Sequence, residues 1–413
     1  MPALQIMRTI AYIAPFFSDG AVRFIKAFAE MPDIRLCLIS QDAQENLAPE
    51  IRSKIAAFWQ TGNALETRDI VNAFRGLESQ VGKIDRIVGA MEQIQVQLAE
   101  ARAELGLGGM NVAVAKNFRD KATMKQVFHE GGVPCAKFRR VKSDADAWNF
   151  ANEIGFPLVL KPLAGAGAQS TFQVKDAESL AEALKVVAPN LHSEAIIEEF
   201  IVGDEYSFET VSIKGKAVWH SLTRYYPTPL EVMRNPWIQW CVVLPREIDD
   251  AQFDDIRAAG KRALEVLGIE TGLTHLEWFR RRDGSVAISE VAARPPGAQI
   301  MTLNSLAHDK DFYNAWVRLR AFDEFEPPPE RKYAVGAAFL RGQGKGRVKA
   351  VHGLDKIHAE VGDLVVDVKI PNIGQSASIS YEGEGFILVR HPQTSVVEQA
   401  LQRIVSHARI ELG

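Results

Sequence analysis

The sequence is poor in the features that mark secreted, membrane-spanning or nucleic-acid-binding chains. It has 3 cysteines in 413 residues, and Cys37, Cys135 and Cys241 stand far apart with no Cys-x-x-Cys spacing. That scatter argues against a disulfide framework or a cysteine-held zinc, and predicts reduced, structural thiols in a cytoplasmic protein. No apolar run approaches the roughly 18 residues needed to cross a bilayer. The first twenty residues read as a buried strand rather than a leader peptide. Lys and Arg number 48 against 52 Asp and Glu, a net charge of −4, and no long basic run stands out. Nucleic acid and anionic membrane are therefore not expected partners. The first strand–helix turn lacks Gly-x-Gly-x-x-Gly, so a dinucleotide has no fingerprint there.

What is present is a globular chain with ample core: 47% hydrophobic and 24% charged residues, at a length that predicts two or three domains. Residues 8–16 and Ile34–Ile39 read as apolar strands. Between them Ala21, Phe24, Ile25 and Phe28 recur at helical spacing. Strand, helix, strand implies a parallel sheet. Ile84–Val88 reads as another strand and Met91–Leu105 as a helix, closing a first α/β domain near residue 110. A helix over Arg119–Glu130 ends at Gly131-Gly132. Further expected helices cover the stretch from Ser143, Ala177–Val187, Asp250–Leu267 and Val396–Arg409. Gly260 falls on the apolar face of the third, where close packing would explain it. Glu326-Pro-Pro-Pro-Glu330 is the clearest linker, followed by a strand-rich tail over 333–392.

Two stretches carry chemistry. Residues 273–297 read as a β-hairpin around Asp283-Gly284, a pair suited to a two-residue type I′ turn. In that register Glu277 faces Glu290 and His275 faces Ala292. Two carboxylates placed roughly 5 Å apart at Cβ repel unless something offsets them. A Mg²⁺ ion, which takes one or two carboxylates plus phosphate oxygens, would do so. Two solvated glutamates on an exposed face are the plain alternative. The second stretch is a strand, Pro157–Lys161, running into small residues from Ala164 to Ala168. Backbone N–H groups in such a loop can approach phosphate oxygens, with Ser170 or Thr171 adding a hydroxyl. Lys161 precedes the glycines, the reverse of a Walker A.

Taken together, these pieces resemble the ATP-grasp superfamily of carboxylate–amine ligases. The resemblance rests on Arg-Asp-Lys121 before a helix ending Gly-Gly-Val-Pro134, and on Phe-Pro-Leu-Val-Leu-Lys161 with its small-residue loop. It continues through Glu198-Glu199-Phe200-Ile201-Val-Gly-Asp-Glu205, then Glu277, then Glu290-Val-Ala-Ala-Arg294. It implies an α/β chain with an N-terminal parallel-sheet domain (1–110) and a central ATP-grasp module (111–325). The module's lid would span about 136–205, and a strand-rich C-terminal domain (331–413) would follow. It also implies site roles. Lys121 and Lys161 would neutralise ATP phosphates, with Gly165, Gly167 and Ser170 in the covering loop. Glu198, Glu199, Phe200 and Ile201 would form the strand that meets adenine, and Glu205 would accept the ribose hydroxyls. Glu277 and Glu290 would hold Mg²⁺ or Mn²⁺, and Arg294 would face an acyl phosphate. Family members are often homodimers.

The residues agree at one point: Ile288, Glu290, Ala292 and Arg294 alternate onto one strand face. They depart from the family at another, since Ala292 stands where an Asn usually adds a metal ligand. Either a water fills that place or His275 reaches the same pocket; a one-metal site is a further alternative. Glu-Val-Ala-Ala-Arg-Pro-Pro-Gly is most similar to L-amino acid ligases. The aromatic and proline-rich segment Leu222–Leu244 is the candidate for acceptor selection, through Arg224, Tyr226 or Trp237; ordinary core strands are the alternative. A biotin-carboxylase-like or purine-biosynthetic ligase is a second reading, because Gly346–Gly353 is similar to carboxylase C-terminal domains. A non-catalytic ATP-binding regulator is a third, favoured only by Ala292.

Overall fold

A computed structural model describes residues 7–163, 171–235 and 237–413. The first sheet has four parallel strands, β1 (Arg8–Ile13), β2 (Ile34–Ser40), β3 (Ala57–Gln60) and β4 (Arg86–Gly89), in the order β3-β2-β1-β4. Its first helix, Asp19–Glu30, starts where Ser18 accepts from the Ala21 N–H, and it buries Phe24, Ile25, Ala27 and Phe28. That is the apolar stripe read from the sequence. Strand β3 and the helix Thr67–Val81 have no counterpart in the sequence reading; β3 is four residues long, too short for alternation to register.

The helix expected over Arg119–Glu130 is present as Lys121–Glu130, and a further helix that the sequence pattern did not suggest, Val112–Arg119, precedes it. Asp120 separates them, ending the earlier and capping the later by accepting from the Thr123 N–H. A second sheet of four antiparallel strands follows: β5 (Phe138–Val141), β6 (Leu158–Pro162), β7 (Phe172–Val174) and β8 (Ala195–Glu199), in the order β5-β8-β6-β7. Helices Asp144–Ile154 and Ala177–Val187 pack on it through Ala147, Phe150, Leu180 and Leu184.

The remaining strands are β9 (Gly203–Ile213), β10 (Lys216–Tyr226), β11 (Trp240–Leu244), β12 (Gly272–Arg281), β13 (Val286–Ala292), β14 (Ala334–Leu340), β15 (Gly342–Gln343), β16 (Val348–His352), β17 (Val365–Lys369), β18 (Gly385–His391) and β19 (Arg409–Leu412). Eight of them form one antiparallel sheet, β13-β12-β9-β10-β11-β14-β18-β17. Strands on both sides of the proline linker thus share a sheet. The helix Asp254–Leu267 lies against it, and a Cβ at Gly260 would come within 2.9 Å of the Phe208 ring. Close packing is indeed what holds glycine there.

The candidate active site

The hairpin β12–β13 sets the site. Its register pairs Glu277 with Glu290 and His275 with Ala292, as the sequence pattern implies, but the turn is different. Arg281 N–H bonds to Ser285 O, Gly284 N–H bonds to Arg281 O, and Gly284 alone has positive φ, at 86°. The loop is therefore three residues, not a type I′ pair, which needs positive φ at both central positions. Near the turn Trp278 faces Ile288, and a bulge between Glu277 and Trp278 then restores the Glu277–Glu290 pairing. The longer loop and the bulge cancel.

Alternation along neighbouring strands extends this polar face. Ser207 lies opposite Glu277, and Glu209 opposite His275, so Glu205, Ser207 and Glu209 on β9 share the side of His275 and Glu277. The face floors a cleft of about 950 Å³. Its walls come from β6 and β8, the helix Pro229–Arg234, the turn after β4 and the loop after β17, which brings Tyr381.

Three lysines enter from one end. Lys121 opens its helix and places Nζ 2.8 Å from Glu290. A cation at a helix N-terminus is unfavourable, so that carboxylate has a local purpose. Lys161 at the end of β6 lies 2.7 Å from Glu198 and 3.9 Å from Glu290. Lys125, almost wholly buried, reaches Glu198 at 3.0 Å. Burial opposes the charge of Glu198, but Lys125 and Lys161 outweigh it and hold the carboxyl down to about 2. Burial likewise opposes Glu290, and Lys121 and Lys161 hold it well below the usual carboxylate range. Glu205 makes no ion pair among the described residues: burial, then Glu277 and Glu290, push it well up against a weaker pull from Lys161. Glu198 therefore serves the lysines with its side chain; the sequence reading had assigned it only to an adenine-facing strand. Glu199 is tied to Arg281 at 2.7 Å, and Phe200 and Ile201 line the cleft beside them. Gly165, Gly167 and Ser170 lie outside the described residues.

At the other end Arg294 donates from Nε and Nη2 to Glu92 Oε2, at 3.1 and 3.0 Å. Glu92 also accepts from Arg119 at 3.0 Å. The sequence reading missed Glu92, although it sits just past the carboxyl end of β4, where open parallel sheets place their ligands. His275 directs Nδ1 to Glu209 at 2.8 Å and Nε2 toward Glu277 at 3.6 Å. Burial disfavours its charge, yet those two carboxylates raise it to about 9.

Arg224, Tyr226 and Trp237 are not brought to this cleft. Arg224 packs over the Tyr206 and Tyr226 rings and pairs with Glu398 at 3.3 Å, while Trp237 is 64% exposed. Strand alternation sends their neighbour Tyr225 inward instead.

Residues 126–310 match the ATP-grasp domain model. The chain contains an ATP-grasp domain. It is 27% identical over 227 residues to the L-arginine-specific L-amino acid ligase of Bacillus subtilis, covering 54% of each chain. It is 31% identical over 236 residues to the alanine–anticapsin ligase of Bacillus subtilis, covering 52% of this chain and 49% of that one. It thus spans about half the length of these two relatives. Among solved structures, the L-amino acid ligase from Bacillus licheniformis superposes with a TM-score of 0.79, at 18% identity over 98% of this chain and 99% of that one; this likeness is one of fold. The matched ATP-grasp residues include Lys161, Glu198, Glu205, Glu277, Glu290 and Arg294. Lys121 and Glu92 lie before them in the chain.

Proposed function

We propose that this chain is an ATP-dependent carboxylate–amine ligase that forms an amide or peptide bond through an acyl phosphate, acting on an amino acid or other small carboxylate. One observation carries the reading. Opposed Glu277 and Glu290, the lysines beside them and Arg294 share a single cleft of about 950 Å³. A substrate carboxylate oxygen attacks the γ-phosphorus, the bond to the ADP oxygen breaks, and ADP leaves. The amine nitrogen then attacks the acyl carbon, phosphate departs, and the amine gives up a proton.

Each residue has a part in this reading. Lys121 and Lys161 meet the phosphates and exchange their carboxylate partners for them. The segment Glu199–Ile201 offers its backbone to adenine, and Glu205 takes the ribose hydroxyls. Arg294, a permanent planar donor held by Glu92, faces the carboxylate that becomes the acyl phosphate.

The donor set suits a hard divalent cation. Glu277 and Glu290 present oxygen ligands, and the Lys121 ammonium already rests on Glu290. Among the described residues no group of three or more His, Cys, Asp or Glu is arranged to hold a metal; an ion held by two carboxylates would take its other ligands from phosphate and water. Mg²⁺, or Mn²⁺ in its place, would supply charge neutralisation on the transferring phosphoryl group. The reading also takes the protein to be cytoplasmic and homodimeric; no helix among the described residues is long and apolar enough to cross a membrane, and light scattering tests the dimer.

ADP release is the direct assay. Pairs of amino acids, screened against bicarbonate with biotin, should stimulate ADP formation only where a carboxylate and an amine are both supplied. ATP binding with no carboxylate able to stimulate turnover would overturn the proposal.

A further inference from the structure

A buried carboxylate behind the cleft is unused by the chemistry above. Glu209 on β9 is 1% exposed, in the middle of an eight-stranded sheet. Burying an acid there is costly unless its oxygens are engaged, and both are. Glu209 accepts from Ser207 Oγ at 2.6 Å and Thr223 Oγ1 at 3.3 Å, and faces His275 Nδ1 at 2.8 Å. His275 is its direct cross-strand neighbour on β12, and on the other side His275 faces Ala292 of β13. An apolar pair would pack these positions at lower cost, so the sheet keeps a polar chain of three groups, Glu209, His275 and Glu277, leading from its interior to the cleft.

We propose that Glu209 is a positioning residue. It holds the His275 ring by Nδ1 so that Nε2 is presented beside Glu277, placing on β12 a polar group at the level where β13 has only Ala292. The purpose of this arrangement rests on the ligase reading; its geometry does not. Ser207 and Thr223 fix the carboxylate, and the carboxylate fixes the ring. The ring in turn limits where the Glu277 side chain can go. A partner of this kind, one contact removed from a ligand, is commonly worth about 10–100-fold in affinity or rate.

Two measurements on the full chain test it. The first is the proton spectrum of the histidine ring N–H groups without nucleotide, with the His275 signal assigned by its loss in His275→Asn. A hydrogen-bonded Nδ1–H resonance should be present in the wild type and lost or displaced in Glu209→Gln. The second is a kinetic cycle. Glu209→Gln should lower kcat about 10-fold or more and raise the Mg²⁺ concentration for half-activation, leaving KM for ATP within a factor of about two. The double variant with His275→Asn should be no slower than His275→Asn alone, because both changes break one chain. Multiplying losses, or an unmoved ring signal, would overturn the proposal. If Glu209→Gln folds poorly, Ser207→Ala removes the donor at 2.6 Å and must move the same ring signal; an unchanged signal overturns it equally. If the wild type forms no ADP with any carboxylate, the ligase reading fails while the ring spectrum still decides the role of Glu209.

Discussion

At the end of the cleft beside β6 and β8, every lysine rests on a carboxylate: Lys121 on Glu290, Lys161 and Lys125 on Glu198. At the opposite end Arg294 is held, among the described residues, by Glu92, which comes from the turn after β4 and is shared with Arg119. The first end is a compact charge store whose members come from strand β13, from the neighbouring strands β6 and β8, and from the helix Lys121–Glu130. The second is a joint between segments far apart in sequence, with Tyr381 from the loop after β17 beside Arg294. In the proposed reaction the first end would meet the same triphosphate in every turnover and can be fixed once, whereas the second would choose the substrate and sits where independent segments meet and can vary separately.

The comparison breaks most sharply at Glu290. Glu290→Ala should lower ADP formation by about 10²–10³-fold or more while the thermal transition stays cooperative. Near-normal turnover in a steady-state assay would remove Glu290 from the chemistry. Lys125→Met tests whether the charge store is structural as well as functional. Leaving Glu198 short of one buried partner should cost about 3 kcal/mol in urea unfolding. The acid side has a defined sign. Glu198 is held at about 2, below its ordinary 4.5, so its contribution is full above pH 4.5 and is lost as pH falls toward 2. In Lys125→Met the folded-state value moves up toward 4.5, so that loss should be smaller and complete at a higher pH, as followed by fluorescence during acid titration.

The other end should respond differently. Glu92→Gln loosens Arg294 without removing it, so KM for the carboxylate should rise about 10-fold while KM for ATP holds. Equal changes in both would erase the division between the two ends. Arg224→Ala and Trp237→Ala are expected to change either constant by less than about two-fold, because their side chains lie outside the cleft.

The same division separates what the sequence revealed from what it hid. Lys121, Lys161, Glu205, Glu277 and Glu290 were legible because regular elements present them, and strand alternation fixes which face each one shares. Glu277 and Glu290 were paired correctly even though the turn was misread, since the three-residue loop and the bulge compensate. Glu92 was hidden because its partner Arg294 lies 202 residues away, and no local period reports such a contact. Arg224 and Tyr226 were misplaced by one step of alternation, which sends Tyr225 inward and leaves them on the opposite face. Glu209 was invisible for a related reason: only the order β12-β9-β10 brings it against His275.

Transfer of oxygen tests the central claim most directly. With the substrate carboxylate labelled by ¹⁸O, the acyl-phosphate route moves one labelled oxygen into the released phosphate for each amide formed. Mass spectrometry of that phosphate should show one ¹⁸O per product. Phosphate free of label, alongside amide product, would contradict the account.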